Sequence, residues 1–211
     1  INKIKYLPNS TENFYKKVDA NNKYKKMMPQ GPILMFAGNI GEAQSFETII
    51  KAASYFNEVG KKVNWVILGD GRQKESMKRK IKDLGLQNSF FFLGSHPSVE
   101  MPEFFTHADA LLVTLKKSLI FSMTIPNKIQ SYMACSKPII ASLDGEGGRI
   151  ILEAKCGYVS PSEDYIALSK SITKFLETSI NEKELMGLNA RKYFDNEFAR
   201  EKQLDKIINI F

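Results

Sequence analysis

The chain has little of what usually announces a chemistry. Its 211 residues include two cysteines, Cys135 and Cys156, far apart and outside any CxxC or Cys/His spacing. That excludes a disulfide-stapled scaffold and a zinc module; two small buried thiols in the reducing cytoplasm fit the pattern. The two histidines, His96 and His107, do not pair with each other or with an acid in any local motif. There is no Walker loop, no GxSxG and no HExxH, so neither phosphate-loop, serine-nucleophile nor metalloprotease chemistry is written locally. No apolar run approaches the roughly 20 residues that span a bilayer. The opening Ile1-Asn2-Lys3-Ile4 does not read as a signal peptide, and the chain is expected to be a piece of a longer one. Internal repeats and low-complexity tracts are also missing.

Against these absences stand a basic surplus and a generous apolar content. The formal net charge is +7, and 43% of residues are hydrophobic, enough for one well-packed domain. Much of the surplus lies at 72–82, where Met77, Ile81 and Leu84 recur at helical spacing; this predicts an amphipathic helix with a solvated basic face. No aromatic residues interleave it, so nucleic acid is not an expected partner. Anionic lipid headgroups or a phosphorylated substrate remain for the surplus, at about 1 kcal/mol per basic residue near such a surface.

Short apolar runs alternate with longer helical patterns. Strands are predicted at 33–38, 63–68, 89–94, 110–115 and 138–142, with a weaker one at 157–161. Helices are predicted at 45–57, 73–84, 99–107, 127–135 and 147–155. Runs so uniformly apolar are buried on both faces, which gives an α/β fold with a doubly wound parallel sheet of about six strands. From residue 164 the pattern turns wholly helical, at 164–177, 182–196 and 199–210. The head, 1–30, is polar and basic apart from an apolar run at 4–8, and reads as a linker plus domain edge. The core domain is then 31–196, with a C-terminal helix in 197–211.

In such a sheet ligands bind beyond the carboxyl ends of the strands. The loops there carry Gly38, Asn39, Gly41 and Gln44 after the first strand and Gly69 and Asp70 after the second. Ser95 and His96 follow the third strand, Thr124 precedes the helix after the fourth, and Glu146 follows the fifth. The helix after the fourth strand is the most telling. Pro126 suits the first helical position, so the free amides and positive dipole end of that helix face the loop, where an anion such as phosphate would bind. Asn127, Lys128 and Ser131 belong to its first turns.

Taken in order, Phe36-Ala37-Gly38-Asn39, Val66-Ile67-Leu68-Gly69-Asp70-Gly71, Phe92-Leu93-Gly94, Ala108-Asp109-Ala110-Leu111-Leu112-Val113, Tyr132-Met133-Ala134-Cys135-Ser136-Lys137-Pro138-Ile139-Ile140 and Glu153-Ala154-Lys155-Cys156-Gly157 resemble the C-terminal domain of a GT-B glycosyltransferase of family four. Coverage runs from about Pro8 to the C-terminus. The segments 38–44, 125–129 and 143–147 are similar to the WbuB-like group, N-acetyl-L-fucosamine transferases of O-antigen and capsule assembly. The resemblance implies a Rossmann-like half of a GT-B fold that binds a nucleotide-sugar donor such as a UDP-sugar. It implies an acceptor domain on the N-terminal side, a lipid-linked saccharide acceptor and peripheral contact with the inner membrane. Transfer would retain anomeric configuration, with no metal and no cofactor beyond the substrate, and this piece alone would be inactive, with no catalytic residue assigned in it.

Departures from the family pattern are equally specific. The Arg and Lys that clamp the diphosphate after the first strand in many members correspond here to Asn39 and Gln44. The Glu-seven-residues-Glu signature falls on Met123 and Ser131, so the ribose-binding carboxylate is missing at its usual place, with Glu146 or Glu153 as replacements. Lys128 is the first choice for diphosphate contact, and the loop at Ser95-His96 is where the base would be met, largely through backbone. Two other classes stay open: a GT-B nucleotide-sugar 2-epimerase, which would need a carboxylate-rich site, and a non-catalytic Rossmann-like binding module recruiting a partner through its basic helix.

Overall fold

A computed structural model describes residues 7–20 and 22–208 of the chain. The predicted apolar run at 4–8 and the end of the last predicted helix lie partly outside these residues.

Six strands form the sheet: β1 (Ile33–Ala37), β2 (Asn64–Leu68), β3 (Phe90–Gly94), β4 (Ala110–Thr114), β5 (Ile139–Ser142) and β6 (Gly157–Ser160). The helices are α1 (Asn22–Lys25), α2 (Phe46–Glu58), α3 (Lys74–Asp83), α4 (Met101–Thr106), α5 (Leu119–Ser122), α6 (Asn127–Ala134), α7 (Glu146–Glu153), α8 (Tyr165–Glu177), α9 (Ile180–Glu197) and α10 (Arg200–Ile208). Strand order is β3-β2-β1-β4-β5-β6 with every pair parallel. This is the doubly wound α/β arrangement expected from the alternation.

Side chains alternate along each strand, and the two resulting faces bury separate cores. Leu34 and Phe36 of β1, Trp65 and Ile67 of β2 and Leu112 of β4 pack under α2, α3 and α8. Met35 and Ala37, Val66 and Leu68, and Leu111 and Val113 face α4, α6, α7 and α9 instead. All five residues of β1, β2 and β4 are buried. Burial of each such aliphatic or aromatic side chain contributes about 1.5–3 kcal/mol. The outermost strands β3 and β6 depart from this, each with a single buried residue, because an edge strand is covered on one side only.

The helical tail packs on the domain itself. α8 joins the α2 face through Leu168, Ile172 and Phe175. α9 starts at a capping box in which Glu182 N donates to Ser179 Oγ and Ser179 N to the Glu182 carboxylate. It crosses α6, where Arg191 donates to Ala134 O at 2.9 Å and caps that helix's carbonyl end. Pro126 stands one position earlier than its ring suggests: its ψ of 128° makes it the residue flanking α6, with Asn127 first in the helix. The four-residue α5 was not foreseen, being too short to show a helical period.

Candidate functional site

Where β1 and β4 lie side by side, their chain connections part: β1 leads to α2 on one face, β4 to α6 on the other. A crevice opens at such a switch point. The loops after β1, β2 and β3 are laced together there. Gly38 N donates to Leu68 O at 2.9 Å, Ile40 N to Asp70 O at 2.8 Å and Gly69 N to Gly94 O at 2.8 Å. Gly69 has φ +128°, and a Cβ on it would stand 2.0 Å from Gly38 O, so only glycine admits this approach.

From the other side α6 brings three side chains on successive turns. Lys128 Nζ donates to Gln44 Oε1 at 2.6 Å and sits 3.9 Å from the centroid of the Phe36 ring. A Cβ on Gly38 would lie 3.4 Å from the same Nζ, so the ammonium and the glycine loop share one small space. Burial pushes Lys128 down to about 7, because no carboxylate offsets the loss of water around the charge. Tyr132 OH accepts from Ala37 N at 3.1 Å and donates to Ala37 O at 3.2 Å, tying α6 to the end of β1; burial raises its pKa. Between these two, Ser131 Oγ lies 3.0 Å from Thr11 Oγ1.

These elements enclose an open cavity of about 360 Å³. Of the predicted site residues, Gly38, Asn39, Gly69, Asp70, Ser95, His96, Lys128 and Ser131 line it together. Asp70 is held by Lys74 at 2.9 Å and by Gly71 N at 2.7 Å, which lowers its carboxyl below the usual range. His96 Nε2 meets Leu93 O at 3.0 Å and Nδ1 lies 3.4 Å from a Glu100 oxygen, fixing the ring against Phe104.

The other five predicted residues stand elsewhere. Gly41 lines a separate groove between α2 and α3. Gln44 serves as the acceptor for Lys128. Thr124 Oγ1 donates to Phe121 O, and the Asn127 amide accepts from Asn9. Glu146 and Glu153, the two candidate replacement carboxylates, are both engaged by Arg149 on α7 and are absent from the cavity wall. Among the described residues no cluster of three or more His, Cys, Asp and Glu side chains is placed to hold a metal ion.

Sequence reasoning passed over several lining residues: Tyr15, Met101, Phe105 and Tyr132. Tyr132 was legible in principle, since it follows Lys128 by one helical turn and must share its face. Tyr15 carried no such signal, because the head has no period.

The pattern of the family described as "Glycosyl transferases group 1" matches residues 19–193. The chain belongs to this family. Among curated relatives of this group 1 glycosyltransferase domain, the probable glycosyltransferase WbjE of Pseudomonas aeruginosa is 30% identical over 152 residues, 71% of this chain and 37% of WbjE. WcaI of Escherichia coli, a colanic acid biosynthesis glycosyl transferase by name, is 28% identical over 118 residues, 56% of this chain and 28% of its own. The crystal structure of Anabaena HepE in complex with UDP superposes with a TM-score of 0.81 at 17% identity, over 98% of this chain and 56% of HepE. The sheet and its flanking helices are thus those of GT-B glycosyltransferases. The group 1 domain spans less than half the length of the curated relatives WbjE and WcaI.

Proposed function

We propose that this domain binds a nucleoside-diphosphate sugar in the cavity at the β1–β4 switch point and presents it for transfer to a saccharide. The observation that carries this reading is the chemistry gathered on one cavity wall. Lys128 stands at the start of α6, where the Asn127 and Lys128 amides precede the first bond of that helix, Ile129 N to Pro126 O at 2.9 Å. The Ser131 hydroxyl and the rings of His96 and Phe105 line the same cavity. A nucleoside diphosphate offers the matching set of an anion, a polyol and a planar base.

In this reading the acceptor oxygen bonds to the anomeric carbon as the bond from that carbon to the diphosphate oxygen breaks, with retained configuration, and the hydroxyl proton passes to the departing phosphate. Lys128 and the positive end of α6 stabilise the charge that develops on the departing phosphates, a task a metal ion performs elsewhere. The acceptor, a lipid-linked saccharide met at the inner membrane, is held by an N-terminal domain, and surface-polysaccharide assembly of the O-antigen or capsule kind is the setting. Relatives named for colanic acid biosynthesis support that setting. The WbuB-like segments support N-acetyl-L-fucosamine as the transferred sugar.

Calorimetric titration with UDP, ADP, GDP and CDP tests the reading. UDP is expected to bind, with little turnover of any UDP-sugar by this chain alone. A folded chain that binds none of the four diphosphates overturns it.

A further inference from the structure

The groove between α2 and α3 opens at the same edge of the sheet as the cavity and has a volume of about 250 Å³. It is built from the chain that follows β1, β2, β4 and β6. Its floor is apolar, made by Phe46 and Ile50 of α2 and Met77 of α3, all buried. Its rim is charged, with Glu42, Glu47 and Glu163 alongside Lys80 and Lys116. These charges are already matched. Lys80 pairs with Glu47, Lys116 Nζ lies 2.6 Å from a Glu42 oxygen, and Glu163 accepts from Lys117 N at 3.0 Å. Ser76, exposed on α3, stands on the same wall.

That composition selects the ligand. Two lysines and three glutamates nearly cancel, so the groove presents no strong field to draw in a phosphate or a metal ion. Paired ions still keep hydrogen-bonding capacity, since an ammonium carries three donors and a carboxylate about four acceptor sites. The rim therefore sets donors beside acceptors above an apolar floor. A pyranose ring has the complementary surface: vicinal hydroxyls that both donate and accept, and a face of C–H groups. The groove also adjoins the transfer centre. Phe46 packs edge-on against Phe36 with centroids 4.7 Å apart, and Phe36 carries the Lys128 ammonium on its ring. One loop supplies Gly38 and Asn39 to the cavity and Gly41, Glu42 and Ser45 to the groove. We infer that this groove binds a neutral saccharide unit of the acceptor chain, away from the residue being glycosylated. The inference rests on the sugar-transfer reading above and adds to it a hold on the acceptor within this domain.

The strength of this contact follows from its chemistry. Each sugar hydroxyl exchanges bonds to water for bonds to side chains that stay exposed, so the net gain per contact is small and a free disaccharide is expected to bind at about 1–10 mM. Weak binding suffices for a polymer. A chain already held at the transfer centre meets the groove at a high effective concentration, without any further contact being needed.

The test titrates the isotope-labelled chain with maltose, cellobiose, lactose and N,N′-diacetylchitobiose, follows the backbone amide shifts by NMR, and measures UDP affinity in parallel. Saturable shifts are expected at 41–47 and 73–80, the segments that line the groove. Lys80→Met removes a rim ammonium, and Ser76→Trp places a bulky ring over the groove. Each is expected to weaken disaccharide binding at least about threefold while UDP affinity stays at the wild-type value, because neither residue lines the cavity. The groove assignment is overturned by shifts confined to Lys128 and Ser131, by disaccharide affinity unchanged in both variants, or by no shift with any of the four sugars. In each of these cases UDP binding by the wild type leaves the donor-site reading standing. Groove shifts in a folded chain that does not bind UDP overturn the donor-site reading and leave a saccharide site without a role in transfer.

Discussion

Lys128 gives the cavity a group that titrates near neutral pH. Burial holds its ammonium down to about 7 in the free chain. A diphosphate beside it would favour the charged form and raise the pKa in the complex. Binding is then strongest below the free value, and weakens as pH rises through about 7 toward the higher pKa of the complex. With a free pKa of about 7, the fraction already charged is about one half at pH 7 and about one tenth at pH 8. UDP affinity should therefore fall about fivefold between pH 7 and pH 8, with uptake of about 0.5 proton per nucleotide at pH 7 and about 0.9 at pH 8. Calorimetry in two buffers of different ionisation enthalpy reads both quantities. Lys128→Met should weaken UDP binding by about 1.5–3 kcal/mol at pH 7, the loss of a charge-assisted contact, and flatten the profile above that pH. UDP affinity that is level from pH 7 to pH 9 in the wild type, with no proton uptake, would refute the placement of Lys128 against the phosphates.

Two further substitutions probe the frame that holds the site. Tyr132→Phe removes the hydroxyl that bridges Ala37 N and Ala37 O, and should cost about 1–3 kcal/mol in urea unfolding; an unchanged midpoint would mean the bridge contributes nothing. Gly69→Ala places a methyl 2.0 Å from Gly38 O at a φ that side chains avoid, and should destabilise by about 2–4 kcal/mol while weakening UDP binding, read by thermal unfolding and titration. Wild-type behaviour in both assays would show that the loops after β1 and β2 can separate freely.

The parts of the fold visible in the sequence are those written in local pattern. The runs that became β1, β2 and β4 are buried at every position, and apolar at all but Asn64 and Thr114, because both sheet faces are covered. The rule that ligands gather beyond strand ends named six of the residues that line the cavity, because loop position follows from strand position, and the helix start after the fourth strand named Lys128 and Ser131. Glu146 shows the limit of that rule: its loop is at the right edge, yet its side chain turns to Arg149, three residues on along α7. Thr11 and Tyr15 show a second limit. Their place over Ser131 depends on how a segment without period crosses α4 and α6, a contact some 120 residues long-range that no neighbouring residue encodes. The helix start at 127 is as expected, while Pro126 flanks the helix rather than opening it, as its extended ψ shows.

The most direct measurement is a crystal structure of the chain with UDP bound. The phosphates should lie within hydrogen-bond reach, about 2.7–2.9 Å, of Lys128 Nζ at the start of α6, with the ribose beside Ser131 and the base toward His96. UDP seated elsewhere, for instance in the groove between α2 and α3, or with its phosphates turned away from Lys128, would contradict the assignment of this cavity as the donor site.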